Sequence, residues 1–188
     1  EICACLVGSE MCIRDRRRSA GLSLRLPGSL VQPNDKNTAI KAALAFFHYT
    51  GLLAGVDITI YKNTPVRAGM AGGSADAAAT IHAMDALFSL GLSLEEKQKI
   101  GVKLGADIPY CLMGGTALSE GIGEILTKLP DVPKAKLVIA KPDLDVSTKF
   151  VYENLHADSL QYHPDIDGMV ASIEKGDLCG CLLYTSDA

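Results

Sequence analysis

The sequence predicts an α+β fold in which strands and helices are mixed without strict alternation. Helical patterns with capping signals are interspersed irregularly with short strand patterns from about Ser19 to Leu155. The clearest strand pattern, residues 56–61, alternates apolar with polar side chains. Such alternation is typical of a half-exposed antiparallel strand, whereas buried parallel strands read as continuous apolar runs. A doubly wound parallel sheet is therefore disfavoured.

The first predicted elements are a strand and a helix. A short strand is expected within residues 21–31. Asp35 or Asn37 can cap the helix that follows, and Gly51 is a suitable C-terminal stop after Thr50.

The next helices are predicted from periodicity and capping. Apolar residues recur on one face of a helix that runs to about Leu90. Ser93 and Glu96 form a capping box for another helix, which ends at Gly105. The remaining expected elements are strands at 111–119, 123–129 and 136–140, and a helix at 148–155.

Composition indicates an ordinary globular protein. The chain has 188 residues, 48% apolar and 21% charged, with net charge −4. The balance does not favour a nucleic-acid partner, and no apolar run is long enough to span a membrane. The sequence leaves a monomer and a homodimer equally open.

The two ends differ from the body. Residues 1–18, EICACLVGSEMCIRDRRR, show neither helical nor strand periodicity, and residues 181–188 also break from what precedes them. We interpret both as non-native tails; genuine but unusual termini are the alternative. Of six cysteines only Cys111 is central, so we expect a reduced, cytoplasmic protein without zinc.

Residues 65–76, PVRAGMAGGSAD, lead directly into a helical pattern. Gly69, Gly72 and Gly73 let the backbone approach a ligand, and the first amides of a helix have no partner inside it. With the helix dipole, these amides form an anion site, most often for phosphate. Ser74 adds a hydroxyl for a phosphate oxygen or a metal ion. The alternative is a glycine turn that only allows close packing.

Asp107 lies in a second block, GADIPYCLMGGTAL, just after the stop of the third helix. A carboxylate between a helix end and Pro109 is held in a defined position. The alternative is a carboxylate that caps the amides of a local turn.

Three blocks in this order, PVRAGMAGGSADAAA, GADIPYCLMGGTAL and EGIGE, resemble the GHMP small-molecule kinases over residues 20–180. The resemblance implies a ribosomal-protein-S5-like domain, here incomplete, at residues 19–132, and part of a ferredoxin-like domain at residues 133–180. It also implies transfer of the ATP γ-phosphoryl group, with Mg²⁺, to a small alcohol. The middle block favours the branch acting on the 2-hydroxyl of 4-diphosphocytidyl-2-C-methyl-D-erythritol in the non-mevalonate isoprenoid pathway.

The resemblance also implies roles for single residues. Asp107 would accept the proton of the attacking hydroxyl, and Ser74 would contact phosphate or Mg²⁺. Thr148 would offer a substrate-side hydroxyl, although a helix N-cap is the alternative. The residues expected to wrap the ATP phosphates are Pro65, Val66, Arg67, Ala68, Gly69, Met70, Ala71, Gly72, Gly73, Ser74 and Ala75.

One feature departs from the family pattern. The family has a lysine in a Lys-x-Asn block near its N-terminus, whereas the first lysine here is Lys36. We therefore expect impaired activity for the chain as given. Two other hypotheses remain: another GHMP kinase, acting on a sugar, a mevalonate-like acid or homoserine, and a nucleotide-binding protein of the same fold without catalysis.

Overall fold

The computed structural model describes residues 2–6, 9–15, 21–29, 33–63, 69–136, 138, 140, 148–155 and 163–183. Strands and helices are mixed along the chain, as the sequence predicts. In chain order they are β1 (Ile2–Leu6), β2 (Ser9–Asp15), β3 (Leu22–Arg25), α1 (Thr38–Thr50), β4 (Val56–Lys62), α2 (Gly72–Phe88), α3 (Leu94–Gly101), α4 (Ile108–Met113), β5 (Thr116–Glu120), β6 (Ile125–Leu129), α5 (Thr148–Asn154), α6 (Ile166–Glu174) and α7 (Leu178–Leu183).

The chain divides into two compact units, and the first comprises residues 1–114 and 119–126. Its sheet has the order β1-β2-β4-β3, with β2 antiparallel and β3 parallel to β4. Val56, Ile58 and Ile60 alternate onto the buried face of β4, as their spacing predicts. This face packs with α1, α2, α3 and α4 in one hydrophobic core.

Local capping signals explain the helix ends in this unit. The Asn37 side chain accepts a hydrogen bond from the Ala39 amide at 2.9 Å and caps α1, which Gly51 ends in a left-handed conformation. Ser93 and Glu96 form the predicted capping box of α3. The predicted N-caps and the stop at Gly51 are confirmed, but α3 ends at Gly101 and not at the predicted Gly105, because residues 102–104 continue only as a turn.

The second unit comprises residues 115–118 and 127–188. Its small core joins Leu129 with Ile173 and Cys181. The predicted helix at residues 148–155 is confirmed as α5. The assignment of residues 19–132 and 133–180 to two kinase domains stays a prediction.

The absence of regular structure predicted for residues 1–18 is wrong, because β1 and β2 form an antiparallel hairpin there. The reason is tertiary: β4 offers a free edge of backbone donors and acceptors, and β2 pairs along it. Met11 faces Ile60 across this pairing and is 2% exposed. The interpretation of residues 1–18 and 181–188 as non-native concerns their origin and stays a prediction.

Two further predictions need correction. Residues 111–113 belong to helix α4, because Pro109 in its first turn favours a helix start. The buried strand predicted at residues 136–140 is wrong for its described part: positions 136, 138 and 140 form no strand, and Val138 is 98% exposed. An apolar run shows strand propensity but cannot show that a partner strand is present.

Candidate active site

The N-terminus of α2 presents backbone donors that have no acceptor within the helix. Gly69 and Ala71 both adopt left-handed conformations, and Ala71 occupies the N-cap position without a side-chain capping bond. The first α2 amide to bond within the helix is that of Ala75, which donates to the carbonyl oxygen of Ala71 at 2.9 Å. The amides of Gly72, Gly73 and Ser74 precede it and have no intrahelical acceptor. With the dipole of this 17-residue helix, they form a site that suits a phosphate.

Close packing also explains two of the glycines. A Cβ atom at Gly72 would lie 3.3 Å from Nζ of Lys62, and one at Gly73 would lie 3.4 Å from Oγ1 of Thr38. The packing alternative is therefore true of these residues. Close packing does not exclude an anion site, because the packing involves the Cα atoms of these glycines, whereas an anion would be bound by their backbone N–H groups.

Lys62 and Asp76 form an ion pair beneath this turn. Their Nζ and Oδ2 atoms are 2.8 Å apart, and their side chains are only 9% and 6% exposed. Lys62 also donates to the carbonyl oxygen of Gly72 at 3.3 Å. Burial raises the pKa of Asp76 above its ordinary value, and the bond and charge of Lys62 oppose that rise.

The sequence analysis missed Lys62, although a signal was present. Val56, Ile58 and Ile60 alternate inward, so the same period places Lys62 on the buried face of β4. A lysine on a buried face requires a carboxylate partner. Asp76 is that partner.

Asp107 precedes α4 with an exposed side chain. Its carboxylate makes no capping hydrogen bond, although its backbone carbonyl accepts from the Cys111 amide at 3.0 Å. The capping alternative is therefore not supported. The carboxylate faces solvent, where it can meet a ligand. Burial raises the pKa of the Cys111 thiol, and the nearby charge of Asp107 raises it further.

Side chains from α2 and α3 hold the helix that follows Asp107. His82 Nε2 lies 3.1 Å from the carbonyl oxygen of Leu112, and Gln98 donates to the carbonyl oxygen of Pro109 at 3.2 Å. Gly123 lies against Ala106, where a Cβ atom would be 3.1 Å from the carbonyl oxygen. The exposed carboxylate is thus carried on a backbone that these contacts hold in place, as a general base requires.

The structure describes only some of the predicted site residues. Pro65, Val66, Arg67 and Ala68 lie outside the described residues, as does the side chain of Thr148, the first residue of α5. Their roles stay predictions. No hydrogen bond or ion pair joins Asp107 to residues 69–75 within the described part of the chain.

Two further searches cover the described residues alone. They contain no group of three or more histidine, cysteine, aspartate or glutamate side chains placed to hold a metal ion. No described helix is both long and apolar enough to cross a membrane.

Comparison with curated sequences identifies relatives that share one name. A 4-diphosphocytidyl-2-C-methyl-D-erythritol kinase of Lachnoclostridium phytofermentans is 54% identical over 147 residues, covering 78% of this chain and 50% of the relative. A protein of the same name from Clostridium novyi is 43% identical over 162 residues, covering 86% of this chain and 58% of the relative. The chain spans about half the length of the curated relatives it matches.

Solved structures place the fold in the same group. A crystal structure of 4-(cytidine 5'-diphospho)-2C-methyl-D-erythritol kinase matches with TM-score 0.67 and 26% identity, covering 90% of this chain and 59% of the other. Homoserine kinase from Cytophaga hutchinsonii matches with TM-score 0.73 at 20% identity, covering 96% of this chain and 63% of the other. A match at this identity shows the fold alone. The predicted α+β class and kinase fold are confirmed. Residues 37–115 match the family described as GHMP kinases N terminal domain, and this part of the chain is a GHMP kinase N-terminal domain.

Proposed function

We propose that this chain is the nucleotide-binding part of an enzyme that phosphorylates the 2-hydroxyl of 4-diphosphocytidyl-2-C-methyl-D-erythritol with ATP, in the non-mevalonate isoprenoid pathway. The observation that carries the proposal is the set of three amides at the start of α2, left without intrahelical acceptors inside a GHMP kinase domain. Relatives at 43–54% identity bear the name of this activity.

The amides of Gly72, Gly73 and Ser74 would bind phosphate oxygens of ATP, with residues 65–71 enclosing the remainder of the triphosphate. The Ser74 side chain is half-buried at the helix start, so its hydroxyl suits a phosphate oxygen or a Mg²⁺ ion shared with ATP. A bound Mg²⁺ would neutralise charge that develops on the transferred group.

Asp107 would act on the acceptor alcohol. The hydroxyl oxygen forms a bond to the γ-phosphorus, the bond from that phosphorus to the bridging oxygen breaks, and ADP leaves. The hydroxyl proton passes to the Asp107 carboxylate, whose exposed and uncapped oxygens are available to receive it. A positioned base of this kind contributes roughly 10²–10⁴ in rate.

Two alternatives remain in this proposal. Another GHMP kinase would use the same amides for ATP with a different acceptor, and the fold match to homoserine kinase is compatible with it. A protein without catalysis would bind nucleotide only. We favour the first proposal, since the relatives that share its name are more than twice as identical to the chain as the homoserine kinase is.

We further propose a cytoplasmic location, which the free thiols of Cys111, Cys179 and Cys181 support. A monomer and a homodimer fit the proposal equally, and neither nucleic acid nor membrane is required by it.

The test is phosphoryl transfer from radiolabelled ATP, with Mg²⁺, to three acceptors: the cytidyl substrate, homoserine and mevalonate. We expect labelled product from the cytidyl substrate alone. Label on another acceptor would identify a different kinase. Nucleotide binding without any product, under conditions in which a full-length relative turns over, would favour the non-catalytic protein.

A further inference from the structure

The first two carbonyl groups of α2 each accept a side-chain hydrogen bond from another element. Lys62, at the end of β4, donates from Nζ to the carbonyl oxygen of Gly72 at 3.3 Å. Thr38, at the start of α1, donates from Oγ1 to the carbonyl oxygen of Gly73 at 2.8 Å. Asp76 holds Lys62 in place through the 2.8 Å ion pair. Two elements of the frame thus hold the turn that presents the free amides.

These bonds determine the direction of the amides as well as the position of the carbonyls. A peptide unit is planar and trans, so its N–H group points opposite to its C=O group. The carbonyl of Gly72 shares a peptide unit with the amide of Gly73, and the carbonyl of Gly73 shares one with the amide of Ser74. A donor on each carbonyl therefore fixes and polarises the N–H group on the other side.

We infer that Lys62 and Thr38 are positioning residues, which aim the amides of Gly73 and Ser74 at the phosphates of the ligand. This inference rests on the ATP site proposed above. It assigns to both residues a role in nucleotide affinity that is exerted through the backbone and requires no contact with ATP.

Direct binding of phosphate by Lys62 does not fit its surroundings. The side chain is 9% exposed and already bonded to two oxygens, those of Asp76 and Gly72. The pair also has an electrostatic consequence. An unpaired carboxylate at Asp76, within about 8 Å of the helix start along the axis, would repel a triphosphate, and Lys62 cancels that charge.

Thr38 gives the cleaner experiment. Thr38→Val removes the hydroxyl with little change of shape, and Thr38→Ser retains it. The matched control is Thr50→Val at the other end of α1, where Oγ1 donates to the carbonyl oxygen of Phe46 at 2.9 Å, remote from the free amides. We expect the Kd for MgATP, measured by titration calorimetry, to rise about three- to tenfold in Thr38→Val. The Kd should return to the value of the unsubstituted chain in Thr38→Ser and should not change in Thr50→Val.

Lys62 requires a double variant, because either single change leaves a buried charge unpaired. Lys62→Met with Asp76→Leu replaces the pair by apolar side chains, an exchange that buried ion pairs often tolerate. We expect urea unfolding near that of the unsubstituted chain together with a Kd raised at least threefold. Unchanged Kd values in this variant and in Thr38→Val would overturn the inference and leave the proposed function intact. A folded, unsubstituted chain that does not bind MgATP at all would overturn the proposed function, and the inference with it.

Discussion

Asp85 provides a quantitative test of how α2 is joined to α3. Its carboxylate accepts from Lys97 Nζ at 2.7 Å and from the Leu92 amide at 2.9 Å, and the two charged side chains are 10% and 13% exposed. Asp85→Asn keeps an acceptor for Leu92 but leaves Lys97 without its counter-charge. Breaking a buried ion pair from one side costs about 3–5 kcal/mol. We expect Asp85→Asn to lower the free energy of unfolding by about 2–3 kcal/mol, less than the full cost, since the Lys97 ammonium can turn toward water.

The matched control is Glu95→Gln, which breaks the exposed ion pair between Glu95 and Lys99 at the same 2.7 Å separation. An exposed pair of this spacing contributes little to stability, because solvent screens the attraction. The assay is urea unfolding at pH 7, followed by circular dichroism. If Asp85→Asn and Glu95→Gln lowered the free energy of unfolding equally, the argument that burial makes the Asp85 pair strong would be contradicted.

The same pair predicts a definite pH dependence. Burial raises the pKa of Asp85, but the bonds from Lys97 and Leu92 outweigh it, so the net pKa lies below the ordinary value of 3.8. A lowered pKa means that the stability is present above pH 3.8 and is lost as the pH falls through the folded-state value. The stability difference between the unsubstituted chain and Asp85→Asn should be constant from pH 7 to about 5 and narrow below about 4. If the stability difference already narrowed above pH 5, the assigned lowering of the Asp85 pKa would be refuted.

The other predictions concern packing, strain and the base. Gly101→Ala places a Cβ 2.6 Å from Ile108 Cγ2 and should cost about 1–2 kcal/mol in urea unfolding, whereas Gly105→Ala, with its nearest contact at 3.6 Å, should be close to neutral. Ala71→Gly should stabilise the fold by about 1 kcal/mol by relieving a positive φ, and a loss of stability would show that this conformation is not strained. Asp107→Asn should abolish most phosphoryl transfer with little change in MgATP affinity, and it should speed alkylation of Cys111, measured by mass spectrometry, by lowering the thiol pKa. Near-normal transfer in Asp107→Asn would remove that residue from the chemistry.

Features determined by local chemistry could be predicted from the sequence. The Asn37 cap, the Ser93–Glu96 capping box and the stop at Gly51 each depend on residues within one or two turns. The glycine-rich start of α2 belongs to the same class, because its free amides follow from helix geometry alone.

Features determined by distant partners could not be predicted in the same way. The β1–β2 hairpin depends on the free edge of β4, which lies more than 40 residues away in sequence. The bonds that His82 and Gln98 make to α4 depend on how three helices pack. Lys62 is an intermediate case. The strand pattern places it on the inward face of β4, but its ion-pair partner Asp76 could be identified only from the three-dimensional fold.

The central claim is that the α2 amides bind the phosphates of ATP. The most direct measurement is a titration of the ¹⁵N-labelled protein with MgATP, followed by the amide resonances of Gly72, Gly73 and Ser74. We predict that these three resonances shift most strongly and saturate with one Kd, while those of the α6 residues Gly168 and Ala171 remain unchanged. Saturable nucleotide binding that leaves the three α2 amides unshifted would contradict the account.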